Sequence, residues 1–299
     1  MRILITGGTG FIGKMLCSSF KAKGYDVCVL TRNARKAKLC LPLKDIHFIE
    51  NLKDIKSDEH IDVVVNLAGA TIAKRWTTAY KKTIINSRKD LTQALIEKLS
   101  TLKHKPALFI NGSAIGYYGP QGDDVLSEDS PSVQSFSHEL CATWEQEALK
   151  AKTLGMRLCL LRTGVVLGEG GGVLAQMRLP FLMGVGGPIG NGKQWMSWIH
   201  MVDMVRLVHF CIEHPELEGP LNATSPNPVT NQVFAQTLAK TLHRPAFCKM
   251  PAWVMRLLYG QMAHELLLTG QRVVPTKLTQ HGFSFIYPSL EMALLAICR

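Results

Sequence analysis

Along the first half of the chain, short runs of apolar residues alternate with longer stretches in which apolar positions recur every three to four residues. Arg2 to Thr6 reads as a strand, Phe11 to Lys23 has helical spacing and stops at Gly24, and Asp26 to Thr31 reads as a second strand rich in Val and Leu. Further strands are predicted at His47 to Glu50, Asp62 to Leu67, Ala107 to Asn111 and Arg157 to Arg162, with helices near Thr78 to Ser100 and Phe136 to Leu154. The strand runs are apolar throughout, so both of their faces must be covered. Apolar strands separated by helices predict an α/β fold with a doubly wound parallel sheet of the Rossmann type.

Beyond Gly164 the pattern changes. Glycine-rich loops at Gly168 to Gly172 and Gly184 to Gly192 flank a helix predicted at Val173 to Met183. From Pro251 onward the chain reads as helices with short connections, ending in an apolar helix at Leu290 to Ile297. The expected division is a Rossmann domain over 1–215 and a smaller α/β C-terminal region over 216–299 on the substrate side, with a distinct small domain from about 250.

Composition narrows the function classes. A 299-residue chain with 46% hydrophobic residues can bury a large core, which excludes a disordered chain. Its charge of +11 comes from cations scattered through the first hundred residues. That suits a solvated basic surface and a small phosphorylated ligand. No nucleic-acid motif or aromatic-basic interleaving accompanies it, so no nucleic-acid partner is expected. The cysteines form no CxxC pair and the histidines no HxH or HExxH spacing, which predicts reduced thiols and no metal site. The longest apolar runs fall short of the roughly 18 residues that span a membrane, so no membrane partner is expected. With its first strand at Ile3, the chain reads as starting in the domain itself, without a leader, in the cytoplasm.

The chemistry-bearing motif lies between the first strand and the first helix. In TGGTGFIG, Gly7, Gly10 and Gly13 stand in GxxGxxG spacing. Gly7 permits a tight turn, Gly10 lets the backbone approach a pyrophosphate, and Gly13 lets the helix pack on the strand while its first amides, around Phe11 and Ile12, face the anion. A nicotinamide dinucleotide is the implied cofactor. At the end of the second strand, where an acidic residue would hold the ribose hydroxyls of NAD, the chain has Thr31 and Arg32, followed by Arg35, Lys36 and Lys38. A guanidinium suits a 2′-phosphate, so NADP is expected in preference to NAD.

With NLAGA at Asn66 to Ala70, GSAIGYYG at Gly112 to Gly119, RTGVVLGEGGG at Arg162 to Gly172, GVGGPIGNGKQW at Gly184 to Trp195 and SWIHMVD at Ser197 to Asp203, the sequence resembles the extended and atypical short-chain dehydrogenase/reductases. It is similar in particular to the YfcH-like NAD-dependent epimerase family, and PAWVMRLL and LTGQRVVP resemble that family's small C-terminal domain. The resemblance implies that Leu67 and Ala68 line the adenine and ribose side of the cofactor and that Arg88 approaches it from the next helix. It also exposes departures. Phe136 and Leu140 stand where the superfamily pairs a tyrosine with a lysine, Ala114 stands at its serine position, and Trp195 and Met196 replace an arginine that holds a substrate diphosphate. His200 and Asp203 read as structural, with Asp203 as a helix cap.

The catalytic expectation therefore moves to Tyr117 or Tyr118, assisted by Ser113, in an NADP-dependent oxidoreductase or epimerase acting on a small carbonyl or alcohol. The rival expectation is a non-catalytic NADP-binding sensor or interaction protein that has lost the tyrosine-lysine pair. Either is compatible with a homodimer.

Overall fold

The computed structural model describes residues 1–298. Seven strands form one sheet: β1 (Arg2–Thr6), β2 (Asp26–Leu30), β3 (Ile46–Ile49), β4 (Val63–Asn66), β5 (Leu108–Ala114), β6 (Arg157–Thr163) and β7 (Gly219–Ala223). Their spatial order is β3-β2-β1-β4-β5-β6-β7 and every pairing is parallel. The order reverses between β1 and β4. In an open parallel sheet that reversal opens a crevice at the carboxyl ends of the strands, where ligands bind.

The expected fold class is the observed one, and the alternation of side chains shows why the strand runs are continuously apolar. On one face Ile3, Ile5, Val27, Val29, Val63 and Val65 pack against α1 (Phe11–Ala22) and α6 (Met201–Glu213), through Leu16, Phe20, Met204 and Val208. On the other, Leu4, Cys28, Val64, Phe109 and Leu158 pack against Leu95, Ile96 and Leu99 of α3 (Thr78–Ser100) and Ala148 of α4 (Phe136–Leu149). Each of β1 to β6 thus supplies both cores, and β7 the first alone.

The sheet runs past the boundary expected at 215, because β7 pairs with β6 from Gly219↔Cys159 to Ala223↔Thr163. A Gly-Pro opening and Asn222 hide β7 in the sequence, since neither Pro nor Asn favours a strand. Beyond it a third core joins α5 (Gly172–Leu182), α7 (Asn231–Thr241) and the last helix, Leu290–Cys298, around Trp198 and Phe234. Proline 180 lies inside α5, where its missing N–H weakens the last turns. The short strand Arg272–Val273 pairs with Val125–Leu126, so the C-terminal segment is fastened to the loop that follows β5. Among the described residues, no helix is long and apolar enough to cross a membrane.

Candidate active site

The turn after β1 is built for close approach. Gly7 has φ +71°, and a Cβ there would lie 2.9 Å from the backbone of Leu67 and Ala68. At Gly13 a Cβ would lie 2.2 Å from the Gly7 carbonyl, so α1 reaches the turn only because this residue has no side chain. Gly10 differs. It is exposed at the helix start, and a Cβ would meet only the Gly7 oxygen, at 3.1 Å. Its bare Cα therefore faces the crevice, where an anion can meet the first amides of α1. Nothing but backbone forms this cradle, and its shape fits a pyrophosphate.

Phe11 closes the turn on the far side. Cβ atoms at Gly171 and Gly172 would approach its ring to 2.4 and 2.9 Å, so this glycine-rich loop lies directly on the aromatic face. Ile12 is half-buried and packs into the core below α1. The run of glycines after β6 is thus a packing surface for Phe11.

Beneath the crevice, the side-chain amide of Asn66 donates to Thr92 (2.8 Å) and Asn111 (2.7 Å), while its oxygen accepts from Thr6 (2.6 Å). Thr6 Oγ1 also accepts from the Ala68 amide, at 3.2 Å. These buried bonds lock the ends of β1, β4 and β5 together, which sets Leu67 and Ala68 against Gly7. Arg88 sits behind them, donating to the Ala70 and Ile84 carbonyls at 3.2 and 3.1 Å and lying over the Trp144 ring. A Cβ at Gly69 would come within 2.6 Å of its guanidinium carbon. Arg88 is therefore a brace for the 67–70 loop.

At the end of β2, Thr31 Oγ1 accepts from the Asn33 amide (3.4 Å) and Asn33 caps α2 (Ala34–Cys40). Glu50 takes the Ala34 amide at 2.6 Å. Arg32 and Arg35 are exposed and enter no hydrogen bond or ion pair among the described residues.

The two phenols expected to exchange a proton and Ser113, expected to assist, have different surroundings. Tyr118 is fully buried; its hydroxyl donates to Asn222 (2.6 Å) and accepts from Arg162 (3.1 Å), and burial pushes its pKa up to about 12. Ser113 is buried and donates to Glu145 at 2.6 Å. Both belong to a network centred on Arg162, which binds the two Glu145 oxygens at 3.0 Å each and the Glu128 carbonyl at 3.1 Å. Burial opposes the charge on Arg162, but Glu145 outweighs it and holds its pKa above the ordinary value. Tyr118 and Ser113 are committed to this network and do not present free hydroxyls to the crevice, contrary to the expectation for Tyr118. Tyr117 does not share that fate. It is half-buried, its ring lies 3.5 Å from the Arg162 guanidinium carbon, its carbonyl is held by His138, and its hydroxyl has no partner among the described residues.

Phe136 and Leu140 are buried at the start of α4, with Phe136 edge-on to Trp76 at 4.8 Å. No phenol-ammonium pair exists on this helix. Glu265 from the C-terminal segment accepts from the Ser137 amide (2.8 Å) and hydroxyl (2.7 Å), adding to the local cap in which Ser135 accepts from the His138 amide at 3.1 Å. These bonds outweigh its burial and hold its carboxyl below the usual range.

His200 and Asp203 divide the structural role differently from expectation. His200 caps α6, its Nδ1 accepting from the Val202 amide at 3.1 Å. Asp203 is fully buried and instead accepts from the Ile286 and Tyr287 amides at 2.8 and 2.9 Å, because the C-terminal loop crosses the helix there. Sequence reasoning missed Glu145, Glu128 and Asn222. The available signal was Arg162 itself, a charge at the end of an otherwise apolar strand that must find a buried partner. Among the described residues, no group of three or more His, Cys, Asp or Glu is placed to hold a metal ion.

Residues 3–223 match the model of the NAD dependent epimerase/dehydratase family, and residues 250–297 match a domain of unknown function, DUF1731. The chain is 38% identical to the chloroplastic epimerase family protein SDR39U1 homolog of Arabidopsis thaliana, over 100% of this chain and 87% of that protein. It is 37% identical to the epimerase family protein YfhF of Bacillus subtilis, over 98% and 97%. The crystal structure of human epimerase family protein SDR39U1 (isoform 2) with NADPH superposes with a TM-score of 0.89 at 33% identity, covering 99% of each chain. A UDP-glucuronic acid 4-epimerase from Bacillus cereus, in complex with NAD, shares the fold with a TM-score of 0.78 at 20% identity.

Proposed function

Because the chain belongs to the NAD dependent epimerase/dehydratase family and carries its glycine turn intact, we propose that it binds NADP(H) and acts as an oxidoreductase or epimerase on a small carbonyl or alcohol. The observation that carries this reading is the cradle of Gly7, Gly10 and Gly13, in which Gly7 and Gly13 stand where a side chain has no room and Gly10 leaves the first amides of the helix open, at the topological switch point of the sheet. The nicotinamide would supply or accept the hydride. Preference for NADP rests on Arg32 and Arg35, which are free to grip a 2′-phosphate, while the first amides of α2 are occupied by Glu50 and Asn33. Discrimination between the cofactors falls to these side chains, and the NADPH bound by the human relative is consistent with it.

Tyr117 is the proton-transfer group in this reading. It has the one phenol of the pair with a free hydroxyl, and its ring is seated against the Arg162 guanidinium. Arg162, fixed by Glu145, orients it. A panel of small carbonyls and alcohols, followed by NADPH absorbance, tests the reading. Tyr117→Phe should lower turnover by roughly 100-fold or more with the NADPH Kd nearly unchanged. Tyr118→Phe should keep activity but lose about 1–3 kcal/mol of stability in urea, because Asn222 and Arg162 lose a buried partner. Full turnover in Tyr117→Phe would overturn the assignment.

A second reading is favoured by Phe136 and Leu140 at the superfamily's tyrosine and lysine positions and by the commitment of Ser113 to Glu145. In it the chain binds NADP(H) as a sensor without turnover. Tight NADPH binding with no hydride exchange across the panel would select it.

A further inference from the structure

Arg272 stands apart from the other arginines. Arg157, Arg162, Arg206 and Arg244 have their donors occupied by carbonyls or carboxylates. Arg32, Arg35, Arg178 and Arg256 are unpaired among the described residues, but they are exposed and already hydrated. Arg272 is partly buried, enters no hydrogen bond or ion pair among the described residues, and lies with its guanidinium carbon 4.4 Å from the centre of the Trp195 ring. The indole holds the guanidinium by its cation–π contact while no acceptor among the described residues takes its N–H donors, which leaves paired donors for a planar or tetrahedral oxyanion.

Its position is built. The Gly270–Val273 segment runs along the backbone of Trp195 to Ser197 so closely that a Cβ at Gly270 would lie 2.0 Å from the Trp195 carbonyl. Ser197 Oγ donates to the Gln271 carbonyl and accepts from the Val273 amide, each at 2.8 Å. Trp195 is held in turn, its indole N–H donating to Asp123 at 2.7 Å. Asp123, which takes the indole N–H, makes no ion pair with Arg272. The Ser197 carbonyl accepts from the Val165 amide, just past the end of β6. Val273 packs with Tyr118 in the cluster that Tyr117 joins. The segment that carries Arg272 is therefore joined through Val273 to the cluster that Tyr117 packs against.

We propose that Arg272 is the substrate-binding cation of this site, and that the substrate is a small carbonyl or alcohol carrying a carboxylate or phosphate group. This rests on the reading that the crevice holds NADP(H) and that Tyr117 faces the reacting carbon. The C-terminal segment then has a defined job: it delivers the anion-binding side chain to a site whose other parts come from the Rossmann domain.

The test uses the full chain saturated with NADPH, so that Arg32 and Arg35 are already engaged, and titrates malonate, inorganic phosphate and neutral malonamide while indole fluorescence is followed. Trp195→Phe assigns the signal. Saturable binding of malonate or phosphate, weaker by roughly tenfold or more in Arg272→Ala and partly restored in Arg272→Lys, is expected, with malonamide inert and the NADPH Kd the same in all forms. Preference for malonate over phosphate identifies a carboxylate substrate, and the reverse a phosphorylated one. Equal oxyanion binding by wild type and Arg272→Ala, or no saturable binding by a wild type that holds NADPH, overturns the proposal. Failure of the wild type to bind NADPH overturns the cofactor reading beneath it.

Discussion

Arg162 and His200 illustrate how single side chains divide the labour around the crevice. Arg162 gathers Glu145, Tyr118 and the Glu128 carbonyl into one buried network, so Ser113 and Tyr118 serve the scaffold and Tyr117 alone keeps an unbonded hydroxyl among the described residues. Sequence alone placed both phenols just beyond β5 but gave no means of separating them, because the separation depends on Asn222, more than a hundred residues away. His200 is buried against Tyr287 at 3.9 Å, and that burial lowers its pKa. A histidine depressed in the folded state contributes stability that is complete above its unfolded value, about 6.5, and is lost as pH falls through the folded one. His209, also depressed by burial, adds to the same slope. Asn caps helices as well as His does here and cannot titrate. Urea unfolding of His200→Asn at pH 7.5 and 5.5 should therefore show a smaller acid loss than the wild type, with a residual slope from His209. An unchanged pH dependence would show that His200 is solvated.

At the scale of elements, the glycine turn separates binding from folding. Gly10→Val is expected to leave the circular dichroism and melting curve close to wild type while abolishing NADPH binding, since its side chain would meet nothing in the protein but the Gly7 oxygen, at 3.1 Å. Gly13→Val drives a side chain into the Gly7 carbonyl and should cost about 3 kcal/mol of stability as α1 is pushed off β1. Equal effects from the two variants would contradict this division. The strands and helices that form this turn were readable because each carries a continuous apolar run or a clear helical period. Helix α3, Thr78–Ser100, matches its predicted ends. The helical pattern from Phe136 continues past α4 only as a 3-10 segment, Lys150–Leu154, which ends at Gly155 in the left-handed region. The anchoring roles of Asp203 and Glu265 were not readable, because each binds backbone amides contributed by a segment distant in sequence.

Across the whole molecule, the C-terminal segment is fastened to the Rossmann domain at points that matter for the site. Glu265 accepts from the first amides of α4, Asp203 holds the loop before the last helix, and the Arg272–Val273 strand pairs beside the β5 loop. Glu265→Ala removes an acceptor from buried amides and an anion from a helix N-terminus, so hydrogen exchange over residues 250–298 should accelerate severalfold while β1 to β5 keep their protection. Uniform acceleration throughout the chain would mean that the segment does not move as a unit. Everything proposed for the crevice depends on which dinucleotide enters it. Calorimetric titration of NADPH and NADH into the wild type and Arg32→Ala measures this directly. NADPH should bind roughly tenfold or more tightly than NADH, as charge-assisted contacts of about 1.5–3 kcal/mol require, and Arg32→Ala should shrink the gap by weakening NADPH alone. Equal affinities for the two cofactors in the wild type, or a preference for NADH, would contradict it.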